Sequence, residues 1–468
     1  MTPPASAPGK LVVVGMSHHL APVALRERLL TKGGERAAEA ISDAVREQAG
    51  PSVVLSTCNR LEVYCWTRRR GAAGALTRLL AQWSGLATVE LAPHLFVRTG
   101  TDAAYHLIRV ASGLDSLALG ESQVLGQVRA AYQVARGEHP PFCAELDTLF
   151  RHAIGAARRI RRAGAFDRHP SVAHLAVERA VSSLAGLEGK RAAVLGAGVT
   201  GQEALRALLA AGVTHTTLLN RSRSRLAALR VAFPPARVSS ATLELLPATL
   251  AEVDVLVCAT SATEPVVSAS AVAGALPSRT GRPLLLIDIA VPRDVDPAVR
   301  ALPGVLVLDL DDLAAQCPVE RFDRREVIDH ADAQARDAAC AFEAELRLRA
   351  AAPEVAAIRA HAEAIRAAEH RRVGARLAAL TPLQRAAVEQ LTHAIVQKLL
   401  HPPTIALRRA AIGATLSARR ERIAILAALS GPGAMRRSRA EAHPSTDEAR
   451  EAGKVNKVTG AHPHAVPA

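Results

Sequence analysis

The run RAAVLGAGVTGQEALRALLAAG, Arg191 to Gly212, decides how the middle of the chain folds. A short apolar strand signal ends at Gly196, and Gly196-x-Gly198-x-x-Gly201 opens a helical stretch that can close at Gly212. A bare GxGxxG says little, but between a strand and a helix it has a mechanism. Glycines let the backbone turn tightly and approach a pyrophosphate, while the head of the helix offers it unpaired N–H groups. The competing reading is a tight turn that holds no ligand. Working outward, HTTLLN (215–220), VDVLVCAT (253–260), PLLLIDIA (283–290) and VLVLDL (305–310) repeat the strand signal, with helical stretches between them. Such apolar runs are the mark of parallel strands buried on both faces, and the alternation predicts a doubly wound, Rossmann-like domain. Gly196, Ala197, Gly198, Val199, Thr200 and Gly201 are the candidate cofactor cradle. The second strand ends in Asn220-Arg221-Ser222, where an NAD site usually has a carboxylate for the ribose hydroxyl. A carboxylate would repel a 2′-phosphate and Arg221 can pair with one, so NADPH is expected over NADH.

The rest of the chain sets bounds on this domain. Its 468 residues suggest roughly two to four domains. Hydrophobic residues are 49% of the total but aromatics only 3%, an alanine-rich balance that favours helix over β-sandwich. A formal charge of +14 fits an acidic partner such as RNA, or a composition bias alone. The six cysteines (58, 65, 143, 258, 317 and 340) have no metal-ligand spacing. With no leader-like apolar stretch behind MTPPASAPGK, they imply reduced thiols in a cytoplasmic protein, and no metal site is expected. No uncharged apolar run approaches the roughly 20 residues a membrane span needs. Beyond Val319 only helical spacing remains, in VAAIRAHAEAI and in LQRAAVEQLTHAIVQKLL, the latter expected to stop at HPP (401–403). Such helices pack on one another or on a second copy of the chain. The polar residues 431–468 read as disordered.

Two stretches before the nucleotide domain carry chemistry. VVLSTCNRLEVYC (53–65) puts Cys58 at a strand end beside Arg60, whose charge favours thiolate. Taken alone, such a cysteine is either a small core residue or a nucleophile. AAYHLIRVASGLDSLALGESQVLGQVRAAY (103–132) crowds His106, Asp115, Ser116, Glu121, Ser122, Gln123 and Gln127 around Gly113 and Gly120. That density of hydrogen-bonding groups suits a polar pocket for a small charged ligand, although His106 alone reads equally as a structural histidine. In ELDTLFRHAIGAARRIRRAG (145–164) the basic face from Arg158 to Arg162 reads as solvated, with RNA contact as the other possibility.

With these residues in view, the chain resembles the glutamyl-tRNA reductase family. The matching runs, in family order, are GMSHHLAPVALRERL, LSTCNRLEVY, HLIRVASGLDSLALGESQVLGQVRAAY, VLGAGVTGQ, LNRSRSR, IDIAVPRDVDP and AIVQKLLHPPTIALR, covering most of residues 11–410. The resemblance implies that Cys58 attacks the ester of glutamyl-tRNA(Glu), releasing tRNA and leaving a thioester that NADPH reduces to glutamate-1-semialdehyde, the first step toward tetrapyrroles. A covalent intermediate divides one hard step into two. It also implies that His106 acts as acid or base, and that Thr57, Asn59, Arg60, Ser116, Glu121, Ser122, Gln123 and Gln127 surround the glutamyl group, with Arg60 as the fork for a carboxylate. The expected architecture is an α+β catalytic domain (1–165), a Rossmann-like NADPH domain (166–318) and an all-helical dimerisation domain (319–430). The family also suggests a complex with the aminomutase that takes the aldehyde. Two departures stand out: RIRRAGAFDRHP (159–170) replaces a Thr-Glu-Thr run, and the family histidine of GMSHH aligns with His18 or His19. Two other readings remain at this point, a thiol-dependent NADP oxidoreductase acting on an acyl phosphate or CoA thioester, and an inactive tRNA-binding paralogue.

Overall fold

The computed structural model describes residues 9–31, 37–138, 142–163, 171–230, 233, 236–315, 325–413 and 416–429. The expected tail, 431–468, and most of the run replacing Thr-Glu-Thr lie outside the described residues. The chain forms two compact units, one of residues 7–342 and one built from residue 343 onward.

The first unit begins with four strands, β1 (Lys10–Ser17), β2 (Ser52–Thr57), β3 (Arg60–Thr67) and β4 (Phe96–Thr99), in the sheet order β2-β3-β1-β4. All neighbours are antiparallel. With helices between β1 and β2 and between β3 and β4, this is the split βαββαβ arrangement. The apolar run of β1 is buried on both faces because helices cover both sides. On one side Ile41, Val45, Leu76 and Leu80 pack on Val12, Val14 and Val63. The helices Gly100–Ser112, Ser122–Glu138 and Ala144–Ala163 lie on the other, the first packed on β1 and the second on β2.

β2 and β3 form a hairpin in which Thr57 pairs with Arg60, so Cys58 and Asn59 are its two-residue turn. The strand end read from the sequence is therefore a tight bend.

Six parallel strands follow: β5 (Arg191–Leu195), β6 (His215–Leu219), β7 (Val238–Ala241), β8 (Val255–Cys258), β9 (Leu284–Asp288) and β10 (Val305–Asp309). Their order, β10-β9-β8-β5-β6-β7, is the doubly wound Rossmann order, with the chain reversing direction across the sheet between β5 and β8. Val194, Val257, Leu285 and Ile287 form one face of the core with Ala204 and Leu208 of the helix Val199–Ala210; Leu195, Leu256 and Leu286 form the other. The edge strand β7, VSSA, is hidden in the sequence by its polar composition.

The second unit is helical. It takes the helix Arg325–Arg372 from residue 343 on, then Gly374–Ala378, Pro382–Ile412 and Leu416–Leu429. Thr381 and Gln384 start the third with reciprocal caps. That helix does not stop at HPP but runs through Pro402 and Pro403. Beyond the prolines Leu407 is fully buried against Val355 and Ile358, and that packing outweighs the lost backbone hydrogen bonds. No described helix is long and apolar enough to cross a membrane.

Candidate active site

The turn that carries Cys58 is held from several directions. Asn59 N–H donates to Thr57 Oγ1 at 3.2 Å, and the Asn59 carbonyl accepts the His18 N–H at 2.9 Å. Arg26, 1% exposed, donates from Nη1 to the Cys58 carbonyl at 3.0 Å and to Asn59 Oδ1 at 2.9 Å. Burial, reinforced by the Glu121 carboxylate, pushes the half-buried Cys58 thiol up to about 11 against the pull of Arg26 and Arg60. This is opposite in sign to the lowered value expected from Arg60 next to it.

Burial is the main cause, and Arg60 is already engaged by other partners. Alternate residues of β3 face one side of the sheet, which brings Arg60, Glu62 and Tyr64 together. Arg60 Nη1 donates to Glu62 Oε1 at 2.8 Å and to Asp115 Oδ2 at 2.9 Å, and Nη2 to the Asp115 carbonyl at 2.5 Å. Its guanidinium is 1% exposed and holds protein carboxylates, so it does not present the open carboxylate fork expected from the sequence. Tyr64 donates to Glu62 Oε2 at 2.6 Å, and His106 Nε2 lies 2.9 Å from Glu62 Oε1. Burial alone would raise Glu62, but His106 and Arg60 outweigh it and hold the carboxyl at about 2. His106 thus reaches the thiol turn through Glu62 and Arg60.

The 113–121 segment closes over this network. Gly113 and Gly120 both have φ near +79°, and a Cβ on Gly113 would come within 2.9 Å of Gly120 Cα, so the loop needs glycine there. It delivers Asp115 to Arg60 and buries Ser116 with no partner for its Oγ. The His18 Nδ1 is also buried without a partner, and burial together with His19 and Arg60 keeps its ring neutral, at about 3. The half-buried His18 is thus the more enclosed member of the His18–His19 pair, and two polar atoms near Asp115 stand unsatisfied. Arg161 is buried and donates to the Gly120 and Glu121 carbonyls at 3.0 Å each, whereas Arg158, Arg159 and Arg162 are exposed. The basic run is therefore a solvated face with one inward member.

This network borders the nucleotide domain. Burial and the Glu203 carboxylate raise Glu121 to about 7, and Gln123 Nε2 donates to Glu203 Oε2 at 3.0 Å. Glu203 lies in the first turns of the helix Val199–Ala210 that GxGxxG opens. Gln127 is half-buried, one turn beyond Gln123, while the Ser122 side chain lies outside the described residues.

The three glycines divide their roles. A Cβ on Gly196 (φ +114°) would meet the Ala259 carbonyl oxygen at 2.4 Å, and one on Gly201 would meet the Gly196 oxygen at 2.0 Å. At Gly198 nothing lies within 4 Å, and no side chain caps the helix it starts. Ala197 is buried, while Val199 is exposed and Thr200 half-buried at the open helix head. An open backbone cradle at a helix head, beside the sheet's switch point, fits a dinucleotide pyrophosphate. Asn220 N–H is held by the Ala241 carbonyl and Asn220 Nδ2 by the Ser222 carbonyl, which leaves Arg221 exposed at the end of β6.

Comparison with known proteins agrees with this division. Residues 14–163 match the model of the glutamyl-tRNA(Glu) reductase N-terminal domain, 178–316 that of shikimate/quinate 5-dehydrogenase, and 331–430 that of the glutamyl-tRNA(Glu) reductase dimerisation domain. A glutamyl-tRNA reductase of Rubrobacter xylanophilus is 38% identical over 443 residues, 93% of this chain and 99% of that one. The chain belongs to the glutamyl-tRNA reductase family. Another reductase of the family, from Syntrophotalea carbinolica, is 34% identical over 85% of this chain and 90% of its own. A solved glutamyl-tRNA reductase from Methanopyrus kandleri is 29% identical, covering 89% of this chain and 98% of that one, with a TM-score of 0.43. Membership in the glutamyl-tRNA reductase family makes the chain an enzyme with a nucleotide-binding middle domain. Sequence reasoning about the site missed Glu62, Arg26 and Glu203, and left His18 and His19 undivided. A carboxylate inside the apolar strand RLEVYC was the available signal for Glu62; Arg26 sits in a helix whose charges look solvated.

Proposed function

We propose that this protein reduces glutamyl-tRNA(Glu) to glutamate-1-semialdehyde with NADPH, through a thioester on Cys58, as the first step toward tetrapyrroles. The observation that carries the proposal is the Gln123–Glu203 hydrogen bond beside Glu121, which supports a nucleophile and a cofactor cradle acting together. Cys58 Sγ attacks the ester carbonyl; the C–O bond to the tRNA ribose breaks, and the departing oxygen takes the proton that the thiol gave up. A thiol near 11 needs a base for this, and Glu121, near 7, is the neighbouring group able to accept a proton at neutral pH. The unsatisfied Ser116 Oγ and His18 Nδ1 suit the polar atoms of an aminoacyl group. His106, fixed by Glu62, is the proposed acid or base near the carbonyl. Gly196–Gly201 hold the pyrophosphate and Arg221 the 2′-phosphate of NADPH, which when bound supplies the hydride for the thioester. Asn59, Thr57, Gln123 and Gln127 shape the walls of the glutamyl pocket. The helical unit serves as the homodimer interface, with domain limits near residues 165 and 318.

A single-turnover mixture of the protein with glutamyl-labelled tRNA and no NADPH tests the central step. Label is expected on the protein and lost in Cys58→Ser; an unmutated chain that traps none overturns the thioester route.

A further inference from the structure

The first-unit helix Val23–Thr31 follows Ala21 and Pro22 and carries two neighbouring charges, Arg26 and Glu27, that serve different ends. Arg26 Nε donates to the Ala21 carbonyl at 3.2 Å, and Nη1 holds the Cys58 carbonyl and the Asn59 side chain. Its carboxylate partner is Asp311, which accepts from Nη2 at 2.6 Å. Asp311 follows β10, at the carboxyl edge of the parallel sheet, so it belongs to the nucleotide domain. Its other oxygen accepts the Val23 N–H at 2.7 Å, one of the donors that the helix start leaves without a backbone acceptor. A carboxylate at that end is also favoured by the helix dipole. Glu27, by contrast, binds Arg293 of the nucleotide domain at 2.8–2.9 Å, an interdomain pair separate from the bonds that hold the thiol turn.

We propose that Arg26 is a positioning residue for Cys58 whose hold on the thiol turn is completed by Asp311, so that seating of the nucleotide domain and orientation of the nucleophile are set together. With Asp311 withdrawn, the buried guanidinium is left with the Ala21 and Cys58 carbonyls and the Asn59 amide, all neutral acceptors, an arrangement that burial penalises. The guanidinium then shifts toward water, and the Cys58 carbonyl and Asn59 amide lose their common donor. The coupling makes the thiol ready only where a cofactor cradle stands closed against it. The inference rests on Cys58 being the nucleophile, as proposed above.

Removing Arg26 itself risks the fold, so the test uses Asp311→Asn, with Asp311→Glu as the conservative variant and Glu27→Gln as the interdomain control. Two readouts are taken on the full chain: alkylation of Cys58 by iodoacetamide, read by peptide mass, and the thioester burst with labelled glutamyl-tRNA. Asp311→Asn is expected to slow alkylation about fivefold, because the Arg26 charge that favours the thiolate moves away from it, and to slow the burst roughly tenfold, because small misplacements of a nucleophile are costly. Asp311→Glu recovers most of both, and Glu27→Gln stays within about twofold of the unmutated protein. Alkylation at the same rate in Asp311→Asn and Glu27→Gln overturns the coupling. A missing burst in the unmutated protein would reject the thioester route instead, and the alkylation comparison would still decide the role of Arg26.

Discussion

Cys58 stands two residues from a cation in sequence, yet its thiol is harder to ionise than an isolated one. The Arg60 charge is engaged by Glu62 and Asp115, while burial and Glu121 act directly against a thiolate. A negative neighbour raises a thiol pKa, so replacing it by a neutral amide lowers it. Glu121→Gln should therefore move the midpoint of Cys58 alkylation downward from about 11, an effect present in full above pH 7, where Glu121 is ionised. An unmoved midpoint between pH 7 and 11 would separate Glu121 from the thiol. The same variant loses the proposed base and should trap less label from glutamyl-tRNA. Glu62 shows the reverse balance. Its carboxyl is held at about 2, below its ordinary 4.5, so the stability it contributes is complete above about 4.5 and fades as pH falls toward 2. Glu62→Gln removes one of the two carboxylates holding the buried Arg60 and should cost about 3–5 kcal/mol in urea unfolding at about pH 7. That gap should narrow by about pH 3, where the unfolded chain binds a proton at Glu62 that the folded one does not. A constant gap would mean that packing rather than charge supplies it.

The strand-turn-helix element at 191–212 is fully legible in the sequence, because its function depends on backbone conformation and glycine marks that conformation along the chain. The separate duties of its glycines yield a sharp contrast. Gly198→Ala adds a methyl to open space and should leave the melting temperature nearly unchanged while weakening NADPH binding by roughly tenfold. Gly201→Ala drives a methyl into the Gly196 carbonyl and should destabilise the domain by about 1–3 kcal/mol. Equal effects of the two on stability would contradict the cradle geometry. At the end of β6, Arg221→Ala should weaken NADPH binding about tenfold and NADH binding little, as titration of intrinsic or cofactor fluorescence will report. The other five parallel strands are readable as apolar runs. β7 is not: none of its four residues is buried, so serine is tolerated there, whereas β10, the other edge strand, buries its last three. The helix through Pro402 and Pro403 escapes for a related reason: local propensity predicts a stop, and burial of Leu407 overrides it.

Across the whole molecule, the helical unit leaves Leu391, Ile395 and Leu399 exposed at 61%, 48% and 70%, spaced four residues apart on one stripe. Ile395 and Leu399, with Ile365 and Val396, line a groove of about 350 Å³. An apolar stripe of this kind is expected to meet its copy in the partner chain. Leu399→Glu should shift the protein from dimer to monomer in sedimentation velocity while leaving its helix content unchanged. A dimer that persists at micromolar concentration would move the interface elsewhere. The residues themselves, read in order, were enough to specify the nucleotide domain, the helical end and the family, because periodicity, glycine placement and short motifs are local properties of a chain. Arg60 turned inward, Cys58 made a weak acid, Glu62 under His106 and Arg26 tied to Asp311 all came from folding alone. Most of these join groups tens to hundreds of positions apart, and charges compete for partners through space, where distance along the chain has no bearing.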